Sequence, residues 1–390
     1  MEITTLDIEL TQRCNLRCPY CYLGQVKAAG TIGEDVLDNC IELLDKFGKH
    51  SVEKPLTVNF YGGEPLLAFD RIRYFVENVT VAVPNGRIPY RYTALSNGTI
   101  ADEPIIAYCR EHKISVQRSL DGCPEAMAIC RGPDALQQYT QGSAAWGDFK
   151  RTRRTTVLPE TAKYLVDDLL YFRSIGFRAG FSPMPDYYSQ WQPEHVEAFK
   201  AGLWRLGELF VKEYREKQHG FYLFWFDREF ARFQIKRGSV TAQGCGAGLG
   251  LLCVAWTGHL YLCHRFTSEP VGSPFCFGHI GEVLAGAPHG FGGLVEDRLA
   301  EMKAGKRPLR CRSCVGQYGC NVCCHHSNWK CSGKLGEPPQ LFCELKRESA
   351  KVVTWIDNQL RQRWPNWWRV GKWAAKVKVA EKQKPESMVK

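Results

Sequence analysis

Cys14, Cys18 and Cys21 stand in the run Arg13-Cys14-Asn15-Leu16-Arg17-Cys18-Pro19-Tyr20-Cys21-Tyr22. Three thiolates this close can hold an iron–sulfur cluster. A [4Fe-4S] cube has four irons, so a three-cysteine loop leaves one iron open to a ligand that is not protein. A zinc knuckle borrowing a distant fourth ligand is the competing chemistry, and it suits C-x2-C pairs better than this triplet. Just upstream, Leu6, Ile8 and Leu10 alternate with polar residues, the period of a half-buried strand. The triplet therefore sits on the loop leaving a first strand, which in a (β/α) barrel is the catalytic mouth.

The chain has eighteen cysteines, and eleven of them fall between Cys245 and Cys343. The N-terminus is acidic at Glu2, Asp7 and Glu9 and lacks the form of a signal peptide, and no run of 18 apolar residues exists. A cytoplasmic chain with no membrane segment is expected, and in a reducing compartment metal ligation explains the cysteines better than disulfides. The net charge is +10, and residues 361–390 carry nine Lys or Arg against two Glu, with Trp364, Trp367, Trp368 and Trp373 among them. Such a tail could dock an acidic partner, a nucleic acid or a membrane surface; the plainer reading is that the tryptophans pack on the body. No nucleic acid and no membrane is expected as partner.

The elements that must position these groups alternate as strands and helices, which predicts a parallel α/β architecture. Strands are expected at 4–10, 56–61, 91–95, 115–120, 152–158 and 178–182, and helices at 34–47, 68–79, 103–111 and 161–175. Six strands imply a partial (β/α)6 barrel over residues 1–190. Cys40 and Cys109 belong to its helices as small core residues. Residues 191–243 read as a helical connector whose aromatic stripe is core. Residues 244–345 are rich in Gly and Cys and read as a small fold stabilised by metal. A helix and a basic Trp-rich tail follow at 346–390.

The C-x3-C-x2-C spacing with an aromatic before the last cysteine resembles the radical S-adenosylmethionine (SAM) superfamily. Tyr61-Gly62-Gly63-Glu64-Pro65, directly after the second strand, resembles that superfamily's motif for the SAM amino group and implies Gly62, Gly63 and Glu64 as contacts. The turns Ser96-Asn97-Gly98-Thr99 and Ser119-Leu120-Asp121-Gly122 resemble those that meet the SAM ribose and carboxylate, implying Ser119, with Arg131 as the arginine twelve residues on. Relatives often carry a His-Asp pair before that arginine. Here Ala128-Ile129-Cys130 stands instead, and Cys123 and Cys130 are either incidental loop thiols or groups facing the substrate. The resemblance implies that the open iron chelates SAM, and that the reduced cluster yields methionine and a 5′-deoxyadenosyl radical.

Cys311-x2-Cys314-x5-Cys320-x3-Cys324 with Cys343, preceded by Cys245-Gly246-Ala247-Gly248 and Gly258-x4-Cys263, matches the SPASM pattern found on radical SAM enzymes that modify peptides. The resemblance implies two auxiliary [4Fe-4S] clusters, three in all. Cys311, Cys314, Cys320 and Cys343 would hold the distal one, and Cys245, Cys263 and Cys324 the proximal one. Its fourth ligand is Cys253, Cys323 or Cys331, or is absent. Spacing alone does not exclude zinc.

Among such enzymes the local forms resemble maturases of ribosomally made peptides. Anaerobic sulfatase maturases typically have Gln before Gly-Gly-Glu and an Asp base after the cysteine of Gly-x4-Cys, where Tyr61 and His264 stand here, so formylglycine formation is not expected. The expected substrate is a precursor peptide, modified by crosslinking first, with tyramine excision or epimerisation as alternatives; a small molecule or a folded protein is the other class. Thirteen residues precede Cys14, so leader recognition is expected from a separate protein, the tail or the barrel. An external electron donor is implied.

Overall fold

The computed structural model describes residues 2–24, 30–49, 55–82, 90–146, 153–177, 181–217, 220, 221, 223–230, 246–304, 306, 308–311, 313–316, 320, 324–365 and 367. Cys245, Cys323, Trp368 and Trp373 lie outside them. The six expected strands occur as β1 (Thr5–Thr11), β2 (Leu56–Gly62), β3 (Tyr90–Ser96), β4 (Ser115–Arg118), β5 (Arg153–Val157) and β6 (Phe181–Pro185). Their helices are α1 (Glu34–Phe47), α2 (Phe69–Ala82), α3 (Glu103–Glu111), α4 (Pro124–Arg131), α5 (Pro133–Trp146) and α6 (Leu165–Ser174). Two further helices, α7 (Pro193–Lys217) and α8 (Phe224–Phe230), lie within the expected connector, whose residues 231–243 are outside the described ones.

Hydrogen bonding divides the six strands four and two. β1 to β4 form a parallel sheet in sequence order, while β5 pairs with β6 in a separate parallel ladder. The other edge of β1 is taken by β7 (Leu251–Val254), parallel, and then by β8 (His259–Tyr261) and β9 (Cys276–His279), antiparallel. The cysteine-rich segment thus completes the sheet that the N-terminal residues begin. Three helices from the same region follow, α9 (Ile280–Leu284), α10 (Gly293–Lys303) and α11 (His325–Ser332), and the last is α12 (Gln340–Leu360). α12 begins right after Pro338-Pro339 and carries Cys343, so the helix expected from residue 346 starts within the cysteine module.

By contact the chain forms two compact units, one of residues 1–148, 242–307 and 322–338, the other of 149–241, 308–321 and 339–390. The segment read from sequence as one module contributes to both.

In the first unit the apolar alternates of β1, Leu6, Ile8 and Leu10, join Val58 and Phe60 of β2 and Leu37 and Leu44 of α1 in one core, each fully buried. Each such side chain contributes roughly 1.5–3 kcal/mol. β1 differs from a half-buried strand on its other face. Asp7, Glu9 and Thr11 are buried as well, their side chains met by His264, Thr267 and Gly30 O respectively. Cys40 and Cys109 lie in this core, as expected of helical cysteines. Cys123 and Cys130 are buried on α4, at its N-cap and in its body, so neither is a loop thiol.

The second unit is built on aromatics. Trp225 of α8 is buried and donates to Pro183 O at 2.6 Å, and Ser349 Oγ of α12 donates to Trp225 O at 3.0 Å. Trp367 is buried against Phe230, with ring centres 5.0 Å apart, and its Nε1 donates to Asp357 Oδ1 at 2.9 Å. Trp364 meets Tyr214 edge to face. The described tryptophans of the tail therefore pack on their own unit.

Candidate cluster and cofactor site

The cysteine loop leaves β1 and is pinned by the ends of three neighbouring strands. From β2, Gly63 N donates to Thr11 O at 2.8 Å and Glu64 N to Arg13 O at 2.9 Å. This approach is what the two glycines permit. A Cβ on Gly62, whose φ is +138°, would lie 2.0 Å from Thr11 O, and one on Gly63 2.3 Å from Arg13 O. The chain's own backbone comes close at both glycines.

Glu64 is fully buried and caps the short 3-10 turn Pro65–Ala68. Its Oε1 accepts from Leu66 N at 3.0 Å and its Oε2 from Asn97 N at 2.6 Å, so the carboxylate ties the end of β2 to the turn after β3. Burial raises its pKa to about 7 against these hydrogen bonds. Asn97 continues the chain of contacts. Its Nδ2 donates to Asn15 Oδ1 at 2.7 Å and reaches Cys14 Sγ at 3.7 Å, while Asn15 Nδ2 donates to Thr99 Oγ1 at 2.8 Å.

The end of β4 supplies the third anchor. Asp121 and Arg131 form a buried pair, Nε to Oδ2 at 2.6 Å, and Tyr20 of the cysteine loop donates to the same Oδ2. The guanidinium lies 5.8 Å from the Tyr20 ring centre. Arg131 thus clamps the cysteine loop through Asp121 and Tyr20. Ser119 is half-buried beside them, its N donating to Ser96 O at 2.9 Å.

Burial pushes the Cys18 thiol up, Arg131 counters it, and Asp121, Cys21 and Cys14 add to the rise. Among the described residues no three His, Cys, Asp or Glu close around a single ion. Leu16 N donates to Cys14 Sγ at 3.4 Å, as a thiolate ligand accepts.

The inward face of β1 meets the cysteine-rich segment, and this was not legible from motifs. Asp7 Oδ2 bonds His264 Nδ1 at 3.0 Å and its Oδ1 accepts from Asn59 Nδ2 at 2.9 Å. The His264 ring stacks on Tyr61 with centres 4.2 Å apart and meets Tyr22 edge to face. Glu9 Oε1 accepts from Thr267 Oγ1 at 3.0 Å, and burial raises its pKa. The signal available in sequence was two carboxylates inside an apolar strand, each needing a partner once buried.

Of the expected auxiliary ligands, Cys263 and Cys324 fall in the first unit and Cys311, Cys314, Cys320 and Cys343 in the second. That division coincides with the proximal and distal sets, Cys245 being undescribed. Within the second unit Cys343 is pushed up to about 11 by burial, opposed by Arg310, with Cys320 and Cys311 near enough to repel it. Cys253 is fully buried on β7, and Cys331 is exposed.

Residues 8–170 match the family model described as "Radical SAM superfamily". The chain is 25% identical over 188 residues to a cysteine-type anaerobic sulfatase-maturating enzyme of Clostridium perfringens, covering 42% of this chain and 47% of that protein. It is 32% identical over 117 residues to an uncharacterized protein of Methanocaldococcus jannaschii, 30% of this chain and 38% of that one. These alignments span less than half of either relative. Among solved structures the chain resembles anSMEcpe with bound AdoMet, at 17% identity and TM-score 0.69 over 91% of this chain and 99% of that one. It also resembles Streptococcus suis SuiB bound to precursor peptide SuiA, at 16% identity and TM-score 0.51 over 88% and 76%. These likenesses establish the fold. No helix among the described residues is long and apolar enough to cross a membrane.

Proposed function

With residues 8–170 a radical SAM superfamily domain, we propose that the chain is a peptide maturase that abstracts hydrogen from a ribosomally synthesised precursor peptide and leaves a crosslink or another oxidative change. SAM and the cluster at Cys14, Cys18 and Cys21 would supply the 5′-deoxyadenosyl radical, and two auxiliary [4Fe-4S] clusters would take the surplus electron. The protein's share is to hold the loop, orient the substrate C–H and exclude water. The observation that carries this reading is the anchoring of the cysteine loop by Gly63 and Glu64, Asn97, and Asp121 with Arg131, all expected cofactor-side positions in one place.

A peptide substrate is favoured by the SuiB likeness, since that protein is bound to a precursor peptide. The sulfatase maturases are the second reading, favoured by the fold match. Against it, the two positions that depart from their pattern, Tyr61 and His264, stack on each other and lean on Asp7, so they depart together as one arrangement. Leader recognition by a separate protein and an external electron donor complete the proposal.

Co-expression with a short peptide encoded beside the gene, followed by mass spectrometry, tests it: a mass loss of hydrogens in the peptide is expected. A sulfatase-derived cysteine peptide converted to formylglycine, with the neighbouring peptide untouched, would move the assignment to the second reading.

A further inference from the structure

One imidazole beside the cysteine loop is fixed by three side chains and keeps one nitrogen open. His264 begins the 3-10 turn His264–Phe266, and its Nδ1 donates to Asp7 Oδ2 at 3.0 Å. Asp7 Oδ1 is engaged separately, accepting from Asn59 Nδ2 at 2.9 Å. Tyr61 lies flat on the imidazole, 4.2 Å away with the planes 16° apart, and Tyr22 meets it edge to face at 5.6 Å. The Asp7 side chain is 1% exposed and that of His264 24%, and His264 Nε2 has no hydrogen-bond partner among the described residues. Asp7 sits on the face of β1 opposite Leu6, Ile8 and Leu10, away from the core they share with α1. Tyr61 immediately precedes Gly62 and Tyr22 immediately follows Cys21, so the ring touches a neighbour of each of the two motifs.

A carboxylate can only accept, so the hydrogen bond to Asp7 keeps the proton on Nδ1. In the neutral imidazole the lone pair is then on Nε2. The stacked and edge-on tyrosines hold the ring plane, and with it the direction of that lone pair. A ring needed only for packing on Tyr61 would be served by Phe, without a buried carboxylate behind it. A fixed acceptor selects a donor: a hydroxyl or carboxamide fits it, and a carboxylate does not.

We propose that His264 is a specificity-determining residue whose Nε2 accepts a hydrogen bond from a hydroxyl- or carboxamide-bearing side chain of the precursor peptide, and that Asp7 is the positioning residue that sets its tautomer. The inference rests on the peptide-maturase reading above. It makes an unusual demand of Asp7→Asn. Asn59 Nδ2 continues to require an acceptor, so the new amide turns its oxygen toward Asn59 and its NH2 toward His264 Nδ1. Nδ1 then accepts, the proton moves to Nε2, and the group shown to the peptide changes from acceptor to donor.

The test uses the full-length holoenzyme, anaerobic and with SAM but no reductant, so that binding is read without turnover. The probes are the short peptide encoded beside the gene and a set in which each hydroxyl or carboxamide side chain is replaced in turn by Ala and by Asp. In wild type, calorimetry should find one position where Ala weakens binding about tenfold and Asp weakens it at least as much. His264→Phe should bind the parent peptide about tenfold more weakly and be indifferent to Ala at that position, a coupling that independent sites do not show. Asp7→Asn, which keeps the shape of the side chain, should reverse the order there and prefer Asp to the parent residue. Effects of His264→Phe that simply add to those of every peptide replacement would overturn the proposal, as would the same order of preference in wild type and Asp7→Asn. A parent peptide that wild type leaves unmodified with SAM and reductant would instead overturn the maturase reading itself.

Discussion

The cysteine loop at 14–21 and the cysteine segment at 308–321 offer the same ligand chemistry on different supports. The first is held by the ends of β2, β3 and β4 through backbone bonds, a buried carboxylate and a buried ion pair. The second turns on bonds of its own, Cys311 N to Pro308 O at 2.9 Å and Cys314 N to Cys311 O at 3.4 Å, and touches the buried Lys346–Glu229 pair at Gly316. The parallel sheet therefore organises the first loop before any cluster binds. For the second, the proposed auxiliary cluster would itself be the crosslink that joins the loop to Cys343 on α12.

Removing the ligands should separate the two. Replacing Cys14, Cys18 and Cys21 by Ala should bring 5′-deoxyadenosine formation to background, a fall of about 10³-fold or more by chromatography of the products, with the unfolding midpoint nearly unchanged. Cys343→Ala should do the reverse in kind. It should lose about four irons and lower the unfolding free energy by about 3–5 kcal/mol in anaerobic denaturant titration. If the triple variant is the less stable of the two, the contrast between a sheet-built and a metal-built loop is wrong.

The scaffold of the first loop can also be broken without touching a thiol. Gly63→Ala places a methyl 2.3 Å from Arg13 O and 2.6 Å from Gln12 O, both backbone atoms that cannot rotate away. A cost of about 3–4 kcal/mol is expected, with iron at the first site falling more than at the others. Unchanged stability and iron content would show that the loop is not held by this contact.

What the sequence made legible divides along the same line. Cys14, Cys18 and Cys21, the Gly62-Gly63-Glu64 turn and the strands β1 to β6 follow from local spacing and period, because each is decided within a few residues. Pairings across long separations were not readable. Nothing in the period of residues 251–254 says that they extend the sheet at β1, and nothing near Asp7 or Glu9 names His264 and Thr267 as their partners. The split of residues 244–345 between two units is of the same kind. Arg131 was legible as a residue type at a spacing, while its tie to Tyr20 through Asp121 required three elements to be placed first.

Glu64 gives the smallest and most specific test of the sheet-built loop. Its pKa is raised from the ordinary 4.5 to about 7, chiefly by burial. Between those values the folded protein holds a proton that the unfolded chain has released, so stability falls as pH rises through this window. The full difference is about 3 kcal/mol, complete above pH 7 and absent below 4.5. Glu9 is shifted in the same direction, so the informative quantity is wild type against Glu64→Gln, which keeps a carbonyl to accept one backbone N–H and has no proton to exchange. Denaturant titrations at pH 5, 6, 7 and 8 should show a steeper decline in wild type than in the variant, and the same decline in Cys343→Ala, whose lesion lies elsewhere. Equal slopes in wild type and Glu64→Gln would mean that the carboxylate is not the buried tie between β2 and Asn97 that the geometry makes it.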